Sequence, residues 1–294
     1  GMGRVYKVIC AGRPYAVKTL LTEYRDDHMA VRAGRYFRRE IDALTLLRHP
    51  NLVSLLDHGV VEHPRTRHRE YFFVMEYCDG GDLYSAYREK PLSHGQIVRT
   101  LAECLKGLSY IHAQGFVHRD LKPDNIFVMR LDDDQDRVKL LDFGLSKALD
   151  KPSTMPLTAP GQPLGTPAYM SPEQGQGRKV DHRADIYALG ATVCHMLSGQ
   201  RPYAGEATRT VLARKLKGEE LPLNSLDHVS PESAALVRKM TAHDRDQRPA
   251  NYEELIAEID RLPGAHSPTS RPVLKNRGGP PTASLHEPLV DTDA

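Results

Sequence analysis

Two short runs of the chain carry side chains whose types and spacing suit the handling of a phosphate group. The run 118–125, His-Arg-Asp-Leu-Lys-Pro-Asp-Asn, supplies the carboxylate of Asp120, the ammonium of Lys122 and the carboxamide of Asn125. A later Asp-Phe-Gly run adds the carboxylate of Asp142. Phosphoryl transfer needs cations to neutralise the phosphate and a carboxylate to orient the attacking hydroxyl, and Mg²⁺ prefers oxygen ligands. Each residue alone is more simply explained as a solvated loop residue, but their joint spacing predicts phosphoryl-transfer chemistry.

These runs resemble the catalytic loop and the metal-binding motif of protein kinases. The resemblance implies an α+β, bilobal fold with a small antiparallel-sheet lobe and a large, mainly helical lobe, and it implies ATP and Mg²⁺ as cofactors. By this resemblance Asp120 accepts or orients the proton of the acceptor hydroxyl, and Lys122 meets the transferred phosphate. Asn125 and Asp142 hold the Mg²⁺ ion.

A second part of the resemblance lies near the start of the chain. The run 15–18, Tyr-Ala-Val-Lys, resembles the kinase strand that brings a lysine to the phosphates of the nucleotide. Lys18 is then the phosphate-binding residue, and Glu40 on a downstream apolar-periodic segment is its expected partner. A carboxylate within a few ångströms keeps a buried lysine charged. The alternative is that Glu40 is an ordinary surface acid.

The run 71–83 resembles the kinase hinge and the linker that follows it. By this resemblance the backbone groups of Glu76 and Cys78 bond the adenine, and Asp82 reaches the ribose. Met75 closes the back of the pocket. The remaining cofactor-binding positions implied by the resemblance are Gly1, Gly3, Val5, Ala16 and Phe127.

One departure from the kinase pattern concerns the glycine-rich loop. The family pattern is Gly-x-Gly-x-x-Gly-x-Val, whereas this chain opens with Gly-Met-Gly-Arg-Val. Alignment of Gly3 with the third glycine and Val5 with the valine leaves no residues for the first two glycines or for the strand before them. We therefore expect a domain truncated within this loop, with its first strand missing. An alternative to an active enzyme is a kinase-like scaffold with weak or no activity.

The run 165–173 matches the end of a kinase activation segment, with Ser171 where most members carry alanine. The resemblance implies that Glu173 pairs with Arg248 and that Asp185 bonds the backbone of the catalytic loop. A small-molecule kinase of similar fold would usually lack this segment. Its presence therefore favours protein substrates over small molecules.

The position of Lys122 and the presence of Thr166 in the Gly-Thr-Pro run resemble serine/threonine kinases, so serine and threonine are the expected acceptors. Arg119 precedes the catalytic aspartate and Lys147 follows the Asp-Phe-Gly run, so a phosphate on the intervening segment could bind both. Thr158 is the favoured phosphorylation site. The other two candidates are Ser153 and Thr154, and the alternative is an unmodified loop.

The pattern of apolar residues predicts how these motifs are positioned. Residues 4–20 alternate as two strands joined at 11–12, and further strands are expected near 52–60 and 71–77. Apolar residues at helical spacing predict a helix from Ser93 to about 115, and cap signals predict helices that end at 199 and 262. We expect a kinase domain over 1–263, with lobes at about 1–77 and 83–263. The proline-rich segment 264–294 predicts a disordered tail or linker, with a docking peptide as the alternative.

Composition limits the partners. The net charge of +2 over 294 residues gives no electrostatic case for nucleic acid or an anionic membrane surface. The four cysteines are far apart and form no metal-ligand spacing, which favours reduced thiols and a cytoplasmic location. No apolar run reaches the length of a membrane span, so we expect no membrane segment within this chain. Several runs resemble bacterial kinases of eukaryotic type, which often continue into a membrane anchor.

Overall fold

The computed structural model of the chain describes residues 3–21, 45–62, 69–89, 92–130, 136–141, 167–222, 226 and 229–262. These residues form two compact units. The first unit contains 3–47 and 53–78 where they are described, and the second contains 48–52 and 79–262. The predicted tail at 264–294 lies outside the described residues.

The first unit is built on an antiparallel sheet with strand order β1-β2-β4-β3. Its strands are β1 (Gly3–Cys10), β2 (Arg13–Leu21), β3 (Leu55–Glu62) and β4 (Arg69–Glu76). The predicted two-strand start with its turn at 11–12 is confirmed. Ala11 and Gly12 both have positive φ, 49° and 76°, which is the two-residue hairpin turn that matches the twist of the strands.

Strand β3 begins three residues later than the predicted start at 52. The reason is that Leu52 belongs to the second unit, where it forms an isolated parallel bridge with Leu140. The backbone N–H of Leu140 also donates to the carbonyl of Asn51 at 2.8 Å. Apolar content alone does not distinguish a residue of this strand from one that pairs with a distant strand.

The second unit contains a smaller antiparallel sheet in the order β5-β6-β7. Its strands are β5 (Gly80–Asp82), β6 (Ile126–Arg130) and β7 (Asp136–Leu140). A one-turn 3-10 helix at Pro123–Asn125 leads directly into β6. This sheet therefore fixes the end of the predicted catalytic run.

Helices make up most of the second unit. They are α1 (Leu83–Glu89), α2 (His94–Ala113), α3 (Pro172–Gly175), α4 (Arg183–Ser198), α5 (Thr208–Leu216), α6 (Pro231–Met240) and α7 (Tyr252–Ile259). A second one-turn 3-10 helix spans Arg245–Gln247. The α+β class, with one sheet-rich unit and one mainly helical unit, is confirmed.

Helix α2 forms as its sequence predicts. Ser93 and Gln96 make a reciprocal capping box, in which each side chain accepts a hydrogen bond from the other residue's backbone N–H. The predicted apolar stripe is buried along its whole length and consists of Ile97, Leu101, Leu105, Leu108 and Ile111. The stripe is core, and it anchors the helix that precedes the catalytic run.

Helix α4 is the central helix of the second unit, since every residue from Ala184 to Met196 is buried. It ends at Gly199 in the left-handed conformation, as predicted. Gly190 lets α6 approach closely, because a Cβ there would lie 2.7 Å from the Cβ of Met240. The last helix, α7, ends at Ile259 and not at the predicted Leu262. Within the described residues no helix is long and apolar enough to cross a membrane.

Candidate functional site

Three predicted catalytic residues converge in the second unit. The side-chain Nδ2 of Asn125 donates to the Asp120 backbone carbonyl at 2.7 Å and to its Oδ2 at 3.0 Å. The Nζ atom of Lys122 lies 3.2 Å from the same Oδ2. The side chain of Asp120 remains 39% exposed and that of Lys122 22% exposed, so both are accessible from solvent. The arrangement is a carboxylate held by one amide and one ammonium.

The orientation of the Asn125 carboxamide follows from its partners. Both are acceptors, the carbonyl and the carboxylate of Asp120, so the NH₂ group must face them. The amide oxygen is consequently directed away from Asp120. A carboxamide oxygen in a buried side chain is a suitable ligand for a hard cation.

The local backbone explains why Asn125 is fixed. Its N–H donates to the Lys122 carbonyl at 2.9 Å, which closes the 3-10 turn. Its own carbonyl accepts a hydrogen bond of 2.9 Å from the N–H of Leu141, the residue that follows β7. The chain that leads to the Asp-Phe-Gly run is thereby bonded to Asn125. Asp142 itself lies outside the described residues.

The start of the catalytic run is held by Asp185 of α4. Its Oδ2 accepts a hydrogen bond of 2.7 Å from the backbone N–H of His118, and its Oδ1 accepts one of 2.8 Å from that of Arg119. Asp185 is 1% exposed, so these charge-assisted bonds form in the interior. Arg119 has a φ of 66°, which is uncommon for a residue with a side chain. The contact that the resemblance implied for Asp185 is present.

A second contact to the catalytic run comes from helix α3. Ser171 and Gln174 form a capping box, and the Nε2 atom of Gln174 donates to the Arg119 carbonyl at 2.8 Å. The sequence predicted neither this bond nor the cap. The sequence does contain the signal for the cap. Helices often start with a serine that is followed three residues later by glutamine, with proline at the first helical position.

Glu173 and Arg248 form the expected ion pair. The Nη1 and Nη2 atoms of Arg248 donate to the two carboxylate oxygens at 2.7 and 2.9 Å, and its side chain is fully buried. Burial acts to raise the pKa of Glu173, but hydrogen bonds from Arg248 and its positive charge together bring the pKa below its usual value. The carboxyl group is therefore ionised at neutral pH.

One buried cation near this pair was not predicted. Lys215 of α5 donates from its Nζ to the carbonyls of Ala168 and Met170, just before α3. A signal exists in the sequence, because Lys215 follows Val211 by four residues and therefore shares its buried helix face. The usual preference of lysine for solvent hides this signal.

The predicted nucleotide-binding strand residues lie in the first unit. Lys18 of β2 is paired with Val5 of β1, and Ala16 two residues earlier points to the same face of the sheet. Ala16 is also paired with Met75 of β4. These residues are thus brought to neighbouring positions on β1, β2 and β4.

The hinge-like residues follow β4. The backbone N–H of Glu76 donates to the carbonyl of Ser54 at 3.1 Å, and its Oε1 accepts from the Ser54 N–H at 2.7 Å. Ser54 directly precedes β3, so these two bonds hold Glu76 at the end of β4. Cys78 follows and is half-buried.

Asp82 and Phe127 are brought together in the second unit, because they are paired across β5 and β6. Asp82 has a structural task that the sequence did not reveal. Its Oδ1 accepts from the backbone N–H of Ser85 and its Oδ2 from the Ser85 hydroxyl, both at 2.8 Å. The carboxylate thereby caps the start of α1.

Several predicted site residues cannot be located, since they lie outside the described residues. They are Gly1, Glu40, Asp142, Lys147, Thr158 and Thr166. Gly3 is described at the backbone, as the first residue of β1. Among the described residues no group of three or more His, Cys, Asp or Glu side chains is arranged to hold a metal ion.

Comparison with known families agrees with this geometry. The family model described as the protein kinase domain matches residues 1–258. The chain belongs to the protein kinase family. Asp120, Lys122 and Asn125 are accordingly residues of a kinase domain, and such a domain implies the use of ATP and of protein substrates.

The kinase domain is similar to several bacterial proteins. It is 35% identical over 269 residues to "Serine/threonine-protein kinase pkn3" of Myxococcus xanthus, covering 89% of this chain and 48% of that protein. It is 37% identical over 257 residues to "Serine/threonine-protein kinase Pkn1" of the same organism, covering 85% of this chain and 35% of that protein. It is 33% identical to "Serine/threonine-protein kinase PknB" of Mycolicibacterium smegmatis, covering 89% of this chain and 41% of that protein. The chain therefore spans less than half the length of these relatives.

Among solved structures, the kinase domain resembles a crystal structure of Rad53 in complex with AMP-PNP. The TM-score is 0.65 with 25% sequence identity, and the match covers 88% of this chain and 62% of the other. The fold of the chain is thus that of a protein kinase.

Proposed function

We propose that this kinase domain transfers the γ-phosphoryl group of ATP to serine and threonine hydroxyls of protein substrates. The observation that carries the proposal is the convergence of Lys122 and Asn125 on one carboxylate oxygen of Asp120. A carboxylate held in one orientation and partly exposed suits a group that must meet an incoming hydroxyl.

In the proposed reaction the acceptor oxygen attacks the γ-phosphorus of ATP, and the bond from that phosphorus to the bridging oxygen of ADP breaks. Asp120 orients the acceptor hydroxyl and receives its proton as the new phosphate ester forms. Lys122 offsets negative charge on the transferred group. The products are ADP and a phosphorylated side chain.

A magnesium ion fits the donor set of the domain. Asn125 offers its carboxamide oxygen and Asp142 its carboxylate, which are the hard oxygen ligands that Mg²⁺ prefers. When bound, the ion would neutralise charge on the phosphates and help to orient them. The orientation of the Asn125 amide, with its NH₂ turned to Asp120, supports this assignment.

ATP binding is assigned to the positions that the resemblance to kinases implies. We assign the phosphates to Lys18, with Glu40 as its proposed partner, and the ribose to Asp82. The adenine and the lid above it are assigned to Gly1, Gly3, Val5, Ala16, Glu76, Cys78 and Phe127. The likeness to Rad53, whose structure contains AMP-PNP, supports ATP as the ligand.

Serine and threonine are the proposed acceptors because the three named relatives are all serine/threonine-protein kinases. The position of Lys122 two residues after Asp120 supports the same class. Regulation is proposed through a phosphate on Thr158, bound by Arg119 and Lys147, with Thr166 as a further regulatory position. The proposed domain spans 1–263, with lobes at about 1–77 and 83–263 and a tail or linker at 264–294.

The test is a phosphorylation assay on the full chain with Mg-ATP and a basic acceptor protein. Asp120→Asn removes the proton acceptor and is expected to lower kcat by about 10² to 10⁴. The matched control is Asp260→Asn, an exposed carboxyl group at the end of α7, which should leave kcat within about twofold. Nucleotide binding without any phosphorylation by the unmodified chain would contradict the proposal, and so would full activity of Asp120→Asn.

A further inference from the structure

Lys215 is one of the most deeply buried side chains of the second unit, with 1% of its surface exposed. Lysine is almost never fully buried unless its charge is matched. The ammonium donates to the carbonyl of Ala168 at 3.0 Å and to that of Met170 at 2.5 Å. Two of its three N–H donors are thus used by a single backbone segment.

Two aromatic rings complete the surroundings of this ammonium. Its Nζ lies 4.8 Å from the ring centroid of Tyr187 and 5.5 Å from that of Tyr203, both within cation–π range. Tyr203 has a φ of 58°, a strained conformation for an aromatic residue, although it is almost fully buried. The guanidinium of Arg214 lies on the same ring at 5.1 Å. The strained backbone of Tyr203 therefore places its ring next to two cations, Arg214 and Lys215.

The charged groups that face Lys215 are Arg248 and Glu173. Burial and then the like charge of Arg248 lower the pKa of the Lys215 ammonium to about 7, while Glu173 acts to raise it. In the unfolded chain the pKa of this lysine is near 10.5. The unfavourable contribution of its buried charge to folding is therefore complete below about pH 7 and disappears as pH approaches 10.5. Burial of this charge is thus unfavourable at neutral pH, and the bonds to the carbonyls of Ala168 and Met170 offset part of that cost.

The segment that Lys215 binds is connected to the catalytic run. Met170 is followed by Ser171, which caps α3, and Gln174 of α3 donates to the carbonyl of Arg119. Arg119 directly precedes Asp120. The Met170 carbonyl is therefore linked to the residue before the catalytic carboxylate through one helix cap and one hydrogen bond.

We infer that Lys215 is a positioning residue for the protein acceptor, because its ammonium fixes the backbone of 168–170 beside the catalytic run. This inference rests on the proposed kinase function. The segment follows Thr166 in the chain and supplies no side chain to the proposed ATP site. Loss of the ammonium should therefore affect use of the acceptor and leave use of ATP largely unchanged.

The principal variant is Lys215→Met, which keeps the length of the side chain and removes its donors. We expect kcat/KM for the acceptor to fall about 10- to 100-fold, since small displacements of reacting groups have effects of this size, and KM for ATP to stay within about twofold. The control is Lys217→Met, which removes an exposed lysine next to the end of the same helix and should change neither. An equal rise in both KM values would overturn the inference.

Two further readouts separate positioning from a merely structural role. The thermal midpoint of Lys215→Met at pH 6 should fall by no more than about 3 °C, because removal of a buried charge offsets the loss of its hydrogen bonds. The ratio of acceptor kcat/KM between unmodified and variant chains should decrease as pH rises through about 7, since a neutral amine holds carbonyls more weakly. A ratio that does not vary with pH would count against the inference.

Hydrogen exchange makes the test independent of catalysis. The backbone N–H of Ser171 bonds to Gln174 Oε1 at 3.2 Å, so its exchange reports on the segment that Lys215 holds. We expect faster exchange over 167–175 in Lys215→Met and partial recovery in Lys215→Gln, which keeps one donor group. If the unmodified chain proves inactive, the proposed function fails, and exchange still decides the role of Lys215. Equal exchange in the unmodified and both variant chains would refute that role.

Discussion

The carboxylate of Asp185 accepts a hydrogen bond of 2.8 Å from the backbone N–H of Arg119, a residue held at a φ of 66°. The left-handed conformation is unfavourable for a residue with a Cβ atom, so a strong partner is needed to retain it. Asp185 supplies that partner from the most buried helix of the unit, α4. The backbone immediately before Asp120 is thus fixed by a residue distant in the sequence.

Replacement of Asp185 by alanine should release the catalytic run. Two N–H groups, of His118 and Arg119, would lose their acceptor, and we expect the free energy of unfolding to fall by about 2 to 4 kcal/mol. Denaturant unfolding measures this loss, and steady-state kinetics should show a lower kcat for the folded variant. The control is Asp246→Ala, whose exposed ion pair with Arg183 contributes less than about 1 kcal/mol. Equal stability of the two variants would contradict the proposed importance of Asp185.

The strain at Arg119 can be measured separately. Glycine adopts positive φ freely, so Arg119→Gly should be more stable to denaturant than Arg119→Ala by about 1 kcal/mol. At Arg238, an exposed position in α6, the order should reverse, because glycine in a helix interior is about 1 kcal/mol less stable than alanine. Alanine proving the more stable at both positions would show that residue 119 is not strained in solution.

Interactions between near neighbours were predictable from the sequence. The capping box of Ser93 and Gln96 and the buried stripe of α2 join residues a few positions apart, so spacing alone carries the information. Asp120 and Asn125 are also close in sequence, but their roles were expected from the resemblance to kinases. The contact of Asp185 with the catalytic run was different. It joins positions 66 residues apart, and only the resemblance to a family made it predictable.

The features that the sequence did not predict have physical reasons. Lys215 binds carbonyls 47 and 45 residues away, and no local pattern marks a lysine for burial. The last helix ends at Ile259, three residues before the predicted end. Helix ends depend on small differences in free energy, which the sequence pattern does not show. The second role of Asp82, as a helix cap, was hidden by its match to a nucleotide-binding position.

The pair of Glu173 and Arg248 should dominate the stability of its part of the domain. Glu173→Gln keeps the shape of the side chain but leaves a guanidinium buried without its counter-charge, so unfolding should become easier by about 3 to 5 kcal/mol at pH 7. Chemical denaturation of both chains measures the difference. A change below about 1 kcal/mol would contradict a buried, charged pair.

The pH dependence of this difference has a definite sign. The pKa of Glu173 lies below its usual value of 4.5, so its ionised form stabilises the fold above about pH 4.5. This contribution is lost as pH falls through the lowered pKa. The unmodified chain and Glu173→Gln should therefore converge in stability at acidic pH. Divergence on acidification would indicate a neutral carboxyl group at pH 7.

Cysteine alkylation tests the proposed nucleotide site without catalysis. Cys10 is exposed and should react first, whereas Cys104 and Cys194 are buried and should react only on unfolding. Burial raises the pKa of the Cys194 thiol to about 12, which further suppresses its thiolate. Cys78 is intermediate in exposure, and we expect ATP to slow its labelling while labelling of Cys10 is unchanged. Inorganic phosphate serves as the control ligand. If Cys78 is labelled at the same rate with ATP as with phosphate, adenine does not bind next to Cys78.

The two tasks assigned to Asp82 can be separated by a pair of variants. Asp82→Ala loses both hydrogen bonds to Ser85, so the free energy of unfolding should fall by about 1 kcal/mol. Asp82→Asn keeps an acceptor for the N–H of Ser85 and should stay within about 0.5 kcal/mol of the unmodified chain. If the carboxylate also holds the ribose, both variants should raise KM for ATP several-fold, because a charged acceptor binds hydroxyls more strongly than an amide. An Asp82→Asn chain with unchanged KM and unchanged stability would leave Asp82 as a helix cap only.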